Sequence, residues 1–238
     1  MTKNTSQIPV VLITGTSNGI GKYLVEYYVK QGLYVIGCSR SDIDYEFDNY
    51  FHFQLDISNE SSVKNMFSEI RKKYNCLDIL INNAGIASHN HTLLTSINEV
   101  KKIFNTNFVG TFLCSREAVK LMKNNKYGRI VNISSVHVPF GMPGTSLYGA
   151  SKASVEQFSR VFAKEVYQFG ITINLLSLSV VKNSGMADNL SEDRTNELLN
   201  KTISKTQIEY ENISHAIDFL VSEKSKMITN QNLFLGGV

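Results

Sequence analysis

The chain has 238 residues, of which 42% are hydrophobic and 19% are charged, with a formal net charge of +3. These values are ordinary for a folded domain and exclude the compositions typical of disordered chains. Lys and Arg are scattered along the sequence, which disfavours nucleic acid as a partner. The three isolated cysteines lack any CxxC spacing, and the N-terminal apolar stretch is too short for a signal peptide or a membrane span. We therefore expect a cytoplasmic protein with no disulfide framework, no metal site and no membrane contact.

Seven short apolar runs recur along the chain, separated by amphipathic helical segments such as Ile20–Lys30 and Ser61–Tyr74. Runs that are apolar at every position predict strands buried on both faces, as in a parallel sheet covered by helices. We expect one α/β domain over residues 1–238, with a doubly wound, seven-stranded parallel sheet. The predicted strands are Val10–Thr14, Tyr34–Cys38, His52–Leu55, Leu77–Ile81, Arg129–Ile133, Ile171–Ser177 and Asn232–Leu235.

A glycine-rich turn follows the first predicted strand and leads directly into a helix. At such a junction backbone N–H groups and the helix dipole favour a bound phosphate, and glycine lets the backbone approach it closely. The spacing is GxxxGxG, which differs from the more general GxGxxG fingerprint, so a tight turn that needs glycine for its dihedral angles alone is the alternative. The predicted phosphate loop comprises Gly15, Thr16, Ser17, Asn18, Gly19, Ile20 and Gly21.

Further motifs follow in chain order: NNAG at Asn82–Gly85, Asn107 within NTNFVG, Ser135 after the fifth strand, and Tyr148 with Lys152 in YGASK. Together with TGTSNGIG at Thr14–Gly21, these residues resemble the ordered motifs of the short-chain dehydrogenase/reductase family over nearly the whole chain. The resemblance implies a Rossmann fold and an NAD(P)-dependent oxidoreductase acting on CH–OH or C=O groups. It also implies that Asn107, Ser135, Tyr148 and Lys152 are the catalytic residues.

Tyrosine and lysine four positions apart lie on one face of a helix, so Lys152 is expected to approach Tyr148. A nearby cation favours the phenolate, and we expect it to lower the pKa of Tyr148 and make this residue the proton donor. Ser135 would donate a hydrogen bond to the substrate oxygen, and by resemblance Asn107 would hold a water in a proton relay. The alternative for each residue alone is a surface pair, a turn or a helix cap.

Ser39 and Arg40 end the second predicted strand, where an acidic residue would select NAD. A hydroxyl and a guanidinium suit the additional phosphate of NADP, so we expect NADP, with NAD less favoured. The alternative is that Arg40 points to solvent and pairs with Asp42 or Asp44. The remaining predicted cofactor contacts, which rest on the resemblance, are Asp56, Ile57, Asn83, Ala84, Gly85, Tyr148, Lys152, Val181 and Asn183.

The sequence departs from the family pattern after the sixth strand. Leu178 and Ser179 replace the usual Pro-Gly, and Asn183 stands where the family has a threonine that holds the nicotinamide carboxamide. The Asn183 amide could make the same hydrogen bond, while the geometry of the loop is left open.

The polar stretch 182–207 is expected to form a substrate lid above the carboxyl ends of the strands. Predicted substrate contacts are Ser135, His137, Met142, Tyr148 and Met186. For His137 a satisfied loop histidine is an equal alternative. His89 and His91 form an HxH pair without a third ligand, which argues against metal. Apolar positions on the long helices, including Val155, Phe158, Val161 and Phe162, suggest a homodimer or homotetramer, or simply core packing.

Three functions remain open from the sequence. The leading one is an NADP(H)-dependent reductase that interconverts a ketone and a secondary alcohol, similar to 3-oxoacyl-carrier-protein reductases. A dehydrogenase acting on a sugar or cyclitol in a biosynthetic pathway is the second. The third is a nucleotide-binding regulator without turnover, which the altered Leu178-Ser179 loop keeps open.

Overall fold

The computed structural model describes residues 8–185 and 191–238. The strands are β1 (Val10–Thr14), β2 (Tyr34–Ser39), β3 (Tyr50–Gln54), β4 (Ile79–Asn82), β5 (Gly128–Ser135), β6 (Ile171–Leu178) and β7 (Asn232–Phe234). The helices are α1 (Gly19–Lys30), α2 (Glu60–Tyr74), α3 (Ile97–Phe104), α4 (Gly110–Met122), α5 (His137–Phe140), α6 (Ser146–Val166), α7 (Glu192–Lys201) and α8 (Tyr210–Val221).

All seven strands form one parallel sheet in the order β3-β2-β1-β4-β5-β6-β7. The strand order reverses between β1 and β4, which opens a crevice at the carboxyl ends of these strands. The predicted Rossmann fold is thus confirmed. β5 runs two residues further than predicted, because Ser134 and Ser135 pair with Ser177 and Leu178 of β6.

Successive residues of the central strands enter two separate cores. Val10 and Leu12 of β1 pack with α2, α4 and α6, whereas Val11 and Ile13 pack with α1 and α8 on the opposite face. Both faces are buried, which explains why apolar residues occupy successive positions of these strands. This double covering leaves the two ends of the sheet as the places where polar side chains can converge.

α3 and α4 form one long helical segment that is interrupted by a π-helical turn at Asn105–Val109. Single π turns inserted into α-helices frequently occur at functional sites. Here the turn contains the fully buried Asn107. In the ranges that the structure describes, no helix combines the length and apolar character needed to cross a membrane.

Candidate active site

A cavity of about 430 Å³ lies in the crevice at the carboxyl ends of the strands. Most of the sequence-predicted site residues line it, together with residues from the loops after β4 and β6. The predicted residues in its wall are Gly15, Ser17, Asn18, Gly19, Ile20, Ser39, Arg40, Asp56, Ile57, Asn83, Ala84, Gly85, Ser135, His137, Tyr148, Lys152 and Val181. The fold therefore brings the predicted phosphate loop and the predicted catalytic residues into one space.

The phosphate loop is packed so tightly that two of its glycines are sterically required. Gly15 has a φ of +75°, and a Cβ there would lie 2.8 Å from the Ala84 Cα. A Cβ on Gly21 would lie 2.0 Å from the Gly15 carbonyl oxygen. Asn83 fixes the loop from below, because its Nδ2 donates to the carbonyls of Thr14 and Gly15 at 2.9 and 3.1 Å. The loop thus holds its N–H groups at the start of α1 in a fixed cradle, which suits a bound pyrophosphate.

Thr16 and Gly21, both predicted to contact the cofactor, lie beneath the loop instead of in the cavity wall. Thr16 is fully buried, and its carbonyl accepts a hydrogen bond from Tyr45 at 2.6 Å. Its hydroxyl accepts one from Tyr50 at 3.2 Å. These two residues support the loop from the sheet side.

The end of β2 is stabilised by a polar cluster that sequence reasoning missed. Ser39 Oγ donates to the Ser41 carbonyl at 2.6 Å and lies 3.1 Å from His52 Nε2. His52 Nδ1 lies 2.8 Å from the Tyr50 hydroxyl, and burial lowers the pKa of His52. Tyr50 and His52 alternate along β3 and so share one face of the sheet, which is the signal that could have revealed the cluster.

Arg40 lies exposed beside this cluster in the cavity wall. Asp44, one of the carboxylates that could have neutralised it, pairs instead with Lys22 at 3.2 Å. Asp56, in the wall further along, accepts hydrogen bonds at Oδ1 from the backbone and side chain of Ser58, both at 2.8 Å. Asn59, not Asp56, caps α2, so Asp56 does not serve as the cap of the helix that follows it.

Asn107 holds the loop after β4 against α6. Its Oδ1 accepts from the Ile86 N–H at 2.8 Å, and its Nδ2 donates to the Ile86 carbonyl and to Ser151 Oγ, both at 2.9 Å. The π turn aims this side chain at Ile86, which itself lines the cavity. Its part in a water relay remains a prediction.

Tyr148 and Ser135 are buried together at the base of the cavity. Burial raises the pKa of the Tyr148 phenol, while a hydrogen bond with Ser135 acts in the opposite direction. The expectation that Lys152 lowers the pKa of Tyr148 is therefore not met in this structure. The physical reason is that desolvation of the phenolate outweighs the favourable contacts.

Lys152 is also buried, and its Nζ donates to the Ile133 carbonyl at 2.8 Å. The same Nζ lies 6.0 Å from the centre of the Tyr148 ring. Burial lowers the pKa of Lys152 to about 8, and the negative charge of Glu156 partly opposes this effect. Glu156 is anchored by Ser134, whose hydroxyl donates to it at 2.6 Å. The charge of Glu156 thus compensates only part of the desolvation of the Lys152 ammonium, and a lysine with a lowered pKa loses its proton more readily.

His137 packs against both Ser135 and Tyr148. Its Nδ1 lies 3.0 Å from Ser135 Oγ, and its backbone N–H donates to the same oxygen at 3.2 Å. Its ring meets the Tyr148 ring edge-on, with centroids 5.5 Å apart, and contacts His89 at 5.9 Å. Burial, with a smaller contribution from His89, lowers the pKa of His137 to about 4, so the imidazole is neutral at pH 7.

Three further predicted contacts lie outside the cavity wall or outside the described residues. Met142 is buried in a small apolar cluster with Val136, Val180 and Leu198. Asn183 is exposed with a φ of +55°, and its carbonyl accepts a hydrogen bond from Tyr210. Met186 falls in the segment 186–190, outside the described residues.

The cavity also contains residues of the loops after β4 and β6 and of the predicted lid segment 182–207. They include Ile86, Ala87, Val180, Ser184, Gly185 and Leu198, with Leu198 contributed by α7. These positions carry no chemical motif. Only the packing of α7 over the sheet end brings Leu198 to the site.

The comparisons with known proteins agree with this geometry. The family model for short chain dehydrogenases matches residues 9–195, and the chain belongs to that family. It is therefore an oxidoreductase that acts on C=O or CH–OH groups. The chain is 35% identical over 233 residues to the 3-oxoacyl-(acyl-carrier-protein) reductase FabG of Buchnera aphidicola subsp. Schizaphis graminum, covering 95% of each chain.

Other relatives give the same picture. FabG of Escherichia coli strain K12 is 30% identical over 234 residues, covering 96% of each chain. The structure of ElxO with NADP bound has a TM-score of 0.87 at 29% identity, covering 96% of this chain and 97% of ElxO. A short chain dehydrogenase from Leptospira borgpetersenii with bound NAD+ has a TM-score of 0.86 at 27% identity, covering 100% of this chain and 96% of that one.

Proposed function

We propose that this protein is an NADP(H)-dependent reductase that interconverts a ketone and a secondary alcohol, with 3-oxoacyl thioesters as its substrate class. The observation that carries the proposal is the shared cavity, which joins the rigid glycine loop to Ser135, Tyr148 and Lys152. The relatives named 3-oxoacyl-(acyl-carrier-protein) reductase support the substrate class.

The residues present fit a dinucleotide. The tight Gly15–Gly21 cradle suits a pyrophosphate, because a side chain at either glycine would close it. Ser39 and Arg40 lie where the adenosine ribose would end, and the Arg40 guanidinium supplies positive charge suited to a 2′-phosphate. Asp56 and Ile57 would border the adenine. ElxO, which was solved with NADP and NADPH, supports this preference, whereas the Leptospira protein was solved with NAD+.

The chain's own residues perform the proton chemistry. NADPH supplies the hydride when it is bound. Tyr148, neutral because burial raises its pKa, gives its phenolic proton to the substrate oxygen. Ser135 donates a hydrogen bond to the same oxygen, and the Lys152 ammonium stabilises the phenolate that the proton transfer leaves. The apolar side chains of Ile86, Val180 and Leu198 exclude water from this end of the cavity.

The experiment is a titration with NADPH and NADH, followed by a substrate panel. The emission of the reduced nicotinamide itself reports the binding of each nucleotide. The panel contains 3-oxoacyl thioesters, simple ketones and keto-cyclitols. Tight NADPH binding with fastest oxidation by a 3-oxoacyl thioester supports the proposal, whereas preference for a keto-cyclitol would favour a sugar or cyclitol dehydrogenase.

Tyr148→Phe is the matched control for this experiment. The substitution removes the proton donor and preserves the ring, so NADPH affinity should stay within about twofold while turnover falls by about 10³-fold. Unchanged turnover in the variant would refute the assignment of Tyr148. NADPH binding without turnover of any panel member by the unmodified protein would favour a nucleotide-binding regulator.

We propose that the protein assembles as a homodimer or homotetramer through α4 and α6. Phe112, Phe158 and Phe162 form a half-buried aromatic cluster on these helices, with the Phe158 and Phe162 rings stacked at 5.1 Å. Val161 beside them is 45% exposed. Light scattering after gel filtration tests the proposal, and a monomer at micromolar concentration would contradict it.

A further inference from the structure

The hydroxyl of Ser135 has one proton and two lone pairs, and its chemistry depends on where that proton points. To bind a substrate oxygen, the hydroxyl must donate to it. If the proton were directed to His137 Nδ1, 3.0 Å away, Ser135 could only accept a hydrogen bond. The protonation of this one imidazole nitrogen therefore decides whether Ser135 is ready for the reaction.

The hydrogen bonds around Ser135 favour a hydroxyl proton that points toward the substrate oxygen. The backbone N–H of His137 already occupies one lone pair of Oγ at 3.2 Å. An N–H on His137 Nδ1 would occupy the second lone pair. Only the hydroxyl proton of Ser135 would then be available for a further hydrogen bond. That proton is then free to point into the cavity, whose wall contains both Ser135 and Tyr148. A substrate oxygen next to Tyr148 would then accept hydrogen bonds from both hydroxyls.

His137 is held in one orientation. Its ring is clamped between Tyr148 at 5.5 Å and His89 at 5.9 Å, with interplanar angles of 77° and 60°. It lies directly after β5 at the first residue of α5, so its backbone is fixed by the same turn that ends the Ser135 strand. A neutral imidazole carries a single N–H, and Nδ1 is the ring nitrogen that faces Ser135.

We propose that His137 is a positioning residue that holds its proton on Nδ1 and directs the Ser135 hydroxyl proton toward the substrate oxygen. The inference rests on the proposed function, because Ser135 must act as a hydrogen-bond donor to a carbonyl oxygen. His137 acts through Ser135 and does not itself transfer a proton. Because burial lowers the pKa of His137 to about 4, the imidazole stays neutral near pH 7 and this arrangement does not change there.

A double-mutant cycle tests whether His137 acts through Ser135. His137→Phe keeps the ring contact with Tyr148 and removes Nδ1, and we expect kcat to fall about tenfold with little change in NADPH affinity, the loss expected for one hydrogen bond. His137→Asn, whose Nδ2 reaches the Nδ1 position, should restore most of kcat. In a Ser135→Ala background His137→Phe should cause no further loss, whereas a full tenfold loss there would overturn the proposal.

A second measurement does not depend on turnover. Two-bond 1H–15N correlation spectra of the five histidines distinguish the two imidazole tautomers, and His137→Phe assigns the His137 signals. At pH 7 we expect the proton of His137 on Nδ1, and a proton on Nε2 would overturn the proposal. If no ketone in the panel is reduced, the proposed function fails while this spectrum still decides the tautomer. Thermal unfolding of His137→Phe checks that the variant folds.

Discussion

Lys152 gives the most quantitative prediction, because the structure buries its charge almost completely. Its pKa is lowered from 10.5 to about 8, chiefly by desolvation. Each pKa unit corresponds to about 1.4 kcal/mol, so holding the ammonium in the folded protein at pH 7 costs about 3 kcal/mol. Lys152→Met removes this cost and keeps the length of the side chain. It also removes the hydrogen bond to the Ile133 carbonyl, a loss of about 1 kcal/mol.

The variant should therefore be more stable than the unmodified protein by about 2 kcal/mol at pH 7 while losing its activity. The sign of the pH dependence follows from the lowered pKa. Below about pH 8 the folded protein carries the full cost of the buried charge, and above pH 10.5 the lysine is neutral in both the folded and the unfolded chain. The advantage of Lys152→Met should thus shrink as the pH rises from 8 to 10.5.

Urea unfolding at intervals from pH 6.5 to 10.5 measures this difference directly. Titrations of the other groups are common to both proteins and cancel in the comparison. Lys164→Met, at an exposed position on the same helix, is the control and should change the free energy of unfolding by less than about 0.5 kcal/mol at every pH. A Lys152→Met protein that is less stable at pH 7, or a difference that does not vary with pH, would refute the reasoning.

Three further substitutions test other parts of the site. Arg40→Asp replaces the cation suited to a 2′-phosphate by a carboxylate, so the dissociation constant for NADPH should rise about 100-fold relative to that for NADH in fluorescence titrations. An unchanged ratio of the two constants would contradict this role. Glu156→Gln keeps an acceptor for Ser134 but removes the charge that raises the pKa of Lys152. The alkaline limb of kcat/KM should therefore move down by about half a pH unit, and an unmoved limb would count against the electrostatic effect. Gly21→Ala would place a Cβ 2.0 Å from the Gly15 carbonyl oxygen, so we expect the free energy of unfolding to fall by about 2 kcal/mol and NADPH affinity to fall at least about tenfold. Near-normal NADPH binding by a folded Gly21→Ala protein would show that the loop is not the rigid cradle described above.

The sequence predicted the backbone framework well because its signals are local. Mostly apolar runs marked all seven strands within a few residues, and the glycine turn after Thr14 marked the start of α1. Tyr148 and Lys152, four residues apart, were correctly expected on one helix. The sequence did not reveal that Gly21 and Thr16 support the loop from beneath, because their burial depends on Asn83, Tyr45 and Tyr50 from elsewhere in the chain.

Side-chain environments were decided only by the tertiary structure. The cluster of Ser39 and His52 joins residues thirteen positions apart that become neighbours when β2 pairs with β3. The motif predicts that Tyr148 lies beside Lys152, but it carries no information about how much water the fold removes from around the phenol. The sequence by itself determined the fold and the family, since these depend on local pattern and spacing. The packing of the sheet end determined the direction of each pKa shift and placed His137 against Ser135, because desolvation and hydrogen-bond geometry arise only when distant segments meet.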